Sequence, residues 1–149
     1  MIKLNLPEAN LQIKATTNGH RIYDRIRQKF VSLTPEEWVR QNFVEYLISC
    51  KDIPQSLIAN EIGITLNSTR RRCDTVIYDL TAMPLIIVEY KSPSVEISQS
   101  TFDQIVRYNM VLHARYLVVS NGLQHYCCRI NYETKSYTFL KELPPYSEL

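Results

Sequence analysis

Asp74, Glu89 and Lys91 are the residues of this chain whose types and spacing could do chemistry. They lie in RRCDTVIYDLTAMPLIIVEYKSP, residues 70–93, where two apolar runs flank a turn and carry charges at their far ends. An antiparallel hairpin centred on the Thr81–Ala82 peptide places position 74 opposite position 89. Lys91 lies two residues beyond Glu89 and so points to the same face. Two carboxylates and an amine then converge at one end of a sheet. Hard divalent cations prefer carboxylate and carbonyl oxygens, and the carbonyl of Tyr90 sits between Glu89 and Lys91. Such a group could hold a divalent metal and a water beside a phosphodiester. Lys91 would orient the water, help deprotonate it, or stabilise developing charge.

The tripeptide Glu-x-Lys carries little information by itself. A second copy, Glu133-Thr134-Lys135, lies in a polar turn with no apolar strand ahead of it and no mirror-placed Asp. Glu89-Tyr90-Lys91 has both. The competing reading is a strand-end ion pair with Asp74 as a solvated edge residue. Charges at the tip of a strand buried on both faces carry a desolvation cost, which favours a purpose. Further along, Gln104 and Tyr108 share a helix face at i and i+4, with Arg107 adjacent, and could reach the site or a phosphate. On an earlier helix, Glu45 lies away from the apolar stripe, one and two turns from Gln41 and Trp38. Arg70, Arg71 and Arg72 precede Asp74 and read either as a solvated turn or as contacts to a phosphate backbone. Alternation puts Arg72 on the Asp74 face and Arg71 on the other. Arg21, Arg25, Arg27 and Lys29 form a second, weaker basic cluster.

These residues need elements to position them. Residues 11–24 alternate around Thr17-Asn18-Gly19, an expected hairpin. Residues 34–49 read as a helix with Thr34 as N-cap, Pro35 in the first helical position and Glu37 completing a capping box. Val39, Phe43, Tyr46, Leu47 and Cys50 form its stripe. Residues 58–66 read as a strand with Ile58, Ile62, Ile64 and Leu66 on one face, followed by strands at 71–78 and 85–91. The continuous apolar run Leu85–Val88 predicts a central strand. Ser98 or Ser100 caps a helix to about His113, with Phe102, Ile105, Val106 and Leu112 inward. Tyr116–Ser120 then forms a strand parallel to the third through a right-handed crossover. Asn121-Gly122 predicts a two-residue hairpin into a strand near 124–130, with a further hairpin about 133–135. PPYSEL reads as a tail.

Composition allows one domain over residues 1–149, with its core at about 34–130. The net charge of +2 permits an anionic partner without demanding one. No apolar run approaches the roughly 20 residues of a membrane span, and the first residues lack an export signal, so the expectation is a cytoplasmic protein with reduced thiols. No Gly-x-x-x-x-Gly-Lys occurs, so no phosphate-loop motor is encoded in these residues.

Asp74, Glu89-Tyr90-Lys91 at a strand end and Gln104-x-x-x-Tyr108 on the next helix together resemble the PD-(D/E)xK nuclease superfamily. LTPEEWVRQNFVEYL, RRCDTVIYD, IVEYKSP, TFDQIVRYNMVL and YLVVSNGLQHYCC, in that order, resemble the N-terminal nuclease-like domain of type I restriction enzyme R subunits. The resemblance spans roughly residues 25–132. It implies a mixed α/β, restriction-endonuclease-like fold with an αβββαβ core, an extra C-terminal hairpin, magnesium or manganese dependence, and DNA as substrate. It assigns Asp74, Glu89 and the Tyr90 carbonyl to the metal, and Lys91 to catalysis. It suggests Glu45 as an additional acidic residue, with Gln104 and Tyr108 positioning DNA or water. Arg70, Arg71, Arg72 and Arg107 would meet the nucleic acid. Cys73 stands where the motif has Pro. Other restriction or defence subunits are implied partners, and a homo-oligomer stays open. So do two non-hydrolytic alternatives: a silent DNA-binding or subunit-interaction module, and an oligomeric scaffold supported by the Tyr-rich C-terminal segment.

Overall fold

The computed structural model of the chain describes residues 1–149. Strands β1 (Ile13–Thr16), β2 (Gly19–Asp24) and β3 (Lys29–Ser32) form a small antiparallel meander. The expected hairpin at Thr17-Asn18 is there, with Thr16 paired to Gly19, but β3 was not read from the sequence. Helix α1 (Pro35–Lys51) follows. Then come β4 (Ile58–Leu66), β5 (Thr69–Tyr78), β6 (Pro84–Tyr90), helix α2 (Gln99–Asn109), β7 (Tyr116–Ser120), β8 (His125–Asn131) and β9 (Ser136–Leu140). The six later strands form one sheet in the order β4-β5-β6-β7-β8-β9. Only β6 and β7 are parallel, as a crossover through α2 requires. No helix is long and apolar enough to cross a membrane.

Each helix covers one face of this sheet. Val39, Phe43, Val44 and Leu47 of α1 pack with Ile77, Ile86, Val88, Tyr90 and Val118. Phe102, Ile105 and Val106 of α2 pack with Val76, Ile87, Leu117 and Val119 on the other side. Strand β6 is therefore covered twice, as its continuous apolar run predicts.

Thr34 caps α1, its hydroxyl accepting from the Glu37 N–H at 3.1 Å. The reciprocal half of the capping box does not form. The Thr34 N–H donates to the Ser32 carbonyl instead, and the Glu37 carboxylate turns to other partners. Cys50, expected on the stripe, is exposed. The inward row advances in steps of four through Val39, Phe43 and Leu47, which brings the buried Lys51 inward instead. Lys51 lies 3.5 Å from Glu142.

Strand β4 departs from simple alternation. Ile58 belongs to the α1-side core, whereas Ile62, Ile64 and Leu66 pack on the α2-side core. The cause is Glu61, which has φ +53° in mid-strand. Asn60 pairs with Thr75 and Ile62 with Cys73, so the slip falls at the Glu61/Asp74 step. A non-glycine residue in the left-handed region costs about 1–3 kcal/mol and bends a strand much as a bulge does.

Two further expectations are corrected. The β7–β8 connection has four residues, because Ser120 pairs with His125. Asn121 shapes it by accepting from the Leu123 and Gln124 N–H groups. Gly122, at φ +85°, sits where a Cβ would come within 2.7 Å of Leu4. Residues 144–149 are not a free tail: Tyr146 and Leu149 pack against the α1-side core.

Candidate active site

The hairpin of β5 and β6 has the register that the sequence predicts. Thr75 pairs with Val88, Val76 with Ile87, and Ile77 with Ile86, so the next pair outward is Asp74 with Glu89. Asp74 is fixed by the partner strand, its Oδ2 accepting from the Tyr90 N–H at 2.8 Å. Ile87 lies on the α2 side, and alternation carries Glu89 and Lys91 to that same side. The Lys91 N–H donates to the Ser120 carbonyl at 2.9 Å, which ties the strand end to β7.

Helix α2 completes the site. Glu89, Gln104, Ile105, Tyr108 and Asn109 line a groove of about 330 Å³. The sequence-predicted Gln104 and Tyr108 are thus brought to the Glu89 carboxyl. A larger hollow of about 450 Å³ lies beside Arg129 and Tyr132, but Glu133 is its only carboxylate. Arg107 is exposed on α2.

Arg71 and Arg72 take the opposite sides from those predicted, because the slip at Glu61/Asp74 interrupts alternation. Arg71 reaches α2, donating to the Tyr108 carbonyl at 2.9 Å with its guanidinium 4.4 Å from the Tyr108 ring centre. Arg72 turns to Glu61 at 3.1 Å. Arg70 lies across Gly63. The N-terminal cluster is largely engaged inside the molecule: Arg25 binds Glu45 and Gln55, and Arg27 binds Asp24 and Glu37.

Glu45 does not join the Asp74 group. Both of its oxygens accept from Arg25, at 2.9 and 3.0 Å. The acid of α1 that leads to the site is Glu37, two turns earlier. Its Oε2 lies 2.9 Å from Arg40 Nε, and Arg40 extends to Glu61 and to the Asp74 backbone carbonyl, both at 2.5 Å. Arg40 also lies over the Tyr90 ring at 5.7 Å. Below it, the Tyr90 hydroxyl donates to Thr75, Thr75 to Asn60, and Asn60 to the fully buried Asp24. Charges alternate along Asp24, Arg27, Glu37, Arg40, Glu61 and Arg72. This framework was missed in the sequence. Its only local signal was Glu37, whose Thr-x-x-Glu spacing reads more readily as a cap.

Electrostatics single out Glu89. Burial, and then the neighbouring Asp74 charge, push its carboxyl up to about 7, with Lys91 opposing. Burial also raises Asp74, partly offset by the Tyr90 N–H and Arg40. Glu61 differs: burial would raise it, but Arg40 and Arg72 hold it below the ordinary carboxylate range. Two acids that resist simultaneous ionisation make a site that favours a cation. The donor set is hard oxygen throughout, which suits magnesium or manganese better than a softer metal. No cluster of three or more His, Cys, Asp or Glu side chains with metal-binding geometry occurs. A cation here would rely on two carboxylates, a carbonyl and water, a mode magnesium tolerates well.

Residues 35–144 match the family described as type I restriction enzyme R protein N terminus. Among solved structures, a fragment assigned as the HsdR subunit of a type I restriction enzyme from Vibrio vulnificus YJ016 is similar, with a TM-score of 0.53 and 20% identity. That likeness covers 78% of this chain and 24% of the other, so the chain spans about a quarter of that structure's length. No curated protein matches the chain.

Proposed function

Because this chain belongs to the family of type I restriction enzyme R protein N termini, we propose that its Asp74–Glu89–Lys91 site hydrolyses DNA phosphodiesters in the manner of the PD-(D/E)xK nucleases. The observation that carries this reading is the convergence of Asp74, Glu89, Gln104 and Tyr108 on one groove edge, with Glu89 raised by its acidic neighbour. Asp74, Glu89 and the Tyr90 carbonyl would hold magnesium or manganese, which neutralises phosphate charge and acidifies a water. Lys91 orients that water or holds a proton near it. Gln104 and Tyr108 position the water or the scissile phosphate. Arg70, Arg71, Arg72 and Arg107 meet the DNA backbone, Arg72 by exchanging its exposed contact with Glu61 for a phosphate. Other restriction subunits are proposed as partners.

A second reading, a silent DNA- or subunit-binding module, is favoured by one observation: no third metal-binding side chain joins the acid pair. Calorimetric titration with magnesium separates the two. The wild type is expected to bind, Asp74→Asn to bind about tenfold or more weakly, and Lys91→Ala to bind like the wild type. Heat that is absent from the wild type, or unchanged in Asp74→Asn, sinks the metal site.

A further inference from the structure

Asn109, the last residue of α2, is 2% exposed and lines the groove with Glu89. Its Nδ2 donates to the Ile105 carbonyl at 2.9 Å, which fixes the orientation of the amide, since the reverse would set two oxygens against each other. Its Oδ1 is then a buried acceptor with no donor. The other buried polar atom lacking a well-directed bond, Arg40 Nε, has Glu37 Oε2 at 2.9 Å, so Asn109 Oδ1 alone has nothing facing it. An orphaned acceptor costs stability, and a polar groove beside it has room for the small donor that would satisfy it.

We propose that Asn109 Oδ1 anchors a water molecule in the groove against Glu89, making Asn109 a positioning residue for the hydrolytic water. The assignment rests on the hydrolytic reading above. Water is the occupant that fits. It donates to Asn109 with one hydrogen and can donate to Glu89 or Gln104 with the other, while Ile105 closes the apolar side. Asn109 supports its helix end through Nδ2 alone. The free oxygen is the part of the side chain that a purely structural role leaves unexplained.

Two variants test this in the full chain. Asn109→Leu keeps the volume and removes the acceptor, and Asn109→Ser keeps an acceptor. Asn109→Leu is expected to melt no lower than wild type, because it removes an unsatisfied group. It should bind DNA in calcium unchanged and lose about tenfold or more in kcat with KM nearly constant. Asn109→Ser should retain more kcat than Asn109→Leu, and it carries the test should Asn109→Leu not fold. A high-resolution crystal structure of the metal-free protein supplies the readout independent of activity: a water within hydrogen-bond distance of Oδ1 on the Glu89 side. A dry Oδ1, a protein donor in that place, or an ordered water with wild-type kcat in Asn109→Leu each overturn the proposal. A wild type that cuts no DNA refutes the hydrolytic reading and the positioning role with it, while the crystal structure still decides whether the water site exists.

Discussion

Glu89→Gln is expected to abolish DNA cleavage and, in the absence of divalent metal, to make the protein more stable. Both effects follow from the same desolvated, like-charged position. Burial and the Asp74 charge lift the folded-state pKa of Glu89 from 4.5 to about 7. A carboxyl whose folded value is raised contributes stability that is fully present below its unfolded value and is lost as pH rises through the folded one. The metal-free wild type should therefore lose stability between about pH 4.5 and pH 7, by about 3 kcal/mol for a lift of this size. Asp74, also raised, adds a loss of the same sign, whereas Glu61, lowered, acts the other way at more acid pH. The difference between wild type and Glu89→Gln isolates the Glu89 contribution. Urea melts of both proteins at pH 5 and pH 8 in chelator measure it, and excess magnesium should restore the wild type but not the variant. Equal pH profiles for the two proteins would contradict the account. Cleavage by the variant should fall by about a hundredfold or more.

Arg40→Met carries the second large effect. Arg40 is 6% exposed and sits between Glu37 and Glu61 while donating to the backbone at Asp74. Removing one member of a buried charge group strands the others, at a cost of about 3–5 kcal/mol. Neutralising the group together is much milder, so Glu37→Gln/Arg40→Met/Glu61→Gln should recover most of the loss. That non-additivity is the signature of a coupled network, as opposed to three separate contacts. Denaturant titration of the single and triple variants measures it. A single variant within about 1 kcal/mol of wild type would show that the network is not a support for β5.

Local patterns reached far in this chain. The mirror placement of Asp74 and Glu89 survives as strand register, because two apolar runs of matched length leave only one pairing that buries both. Thr34-Pro35 marks the start of α1, and Ser98 caps α2. The expected order of helix, three strands, helix and strand is observed. What the sequence hid was long-range. Nothing local shows that Asn60 meets Asp24, 36 residues away, or that Arg40 spans from Glu37 to Asp74. Glu61 has the polarity of an ordinary exposed strand position, and only its left-handed backbone reveals the slip that moves Ile62, Ile64 and Leu66 to the other core. That slip also exchanges the sides of Arg71 and Arg72. Glu45 and Glu37 are both plausible helix acids by spacing. The choice between them depends on Arg25, which occupies Glu45, and on Arg40, which links Glu37 to the site. Asn109 looks like any residue at a helix end until its unpaired oxygen is placed beside Glu89.

The most direct measurement is cleavage of single- and double-stranded DNA by the purified chain in magnesium or manganese, with Asp74→Ala and Lys91→Ala alongside. The site described here predicts metal-dependent cleavage by the wild type that falls by about a hundredfold or more in each variant. A wild type that cuts neither substrate with either metal would contradict it, as would variants that cut as fast as the wild type.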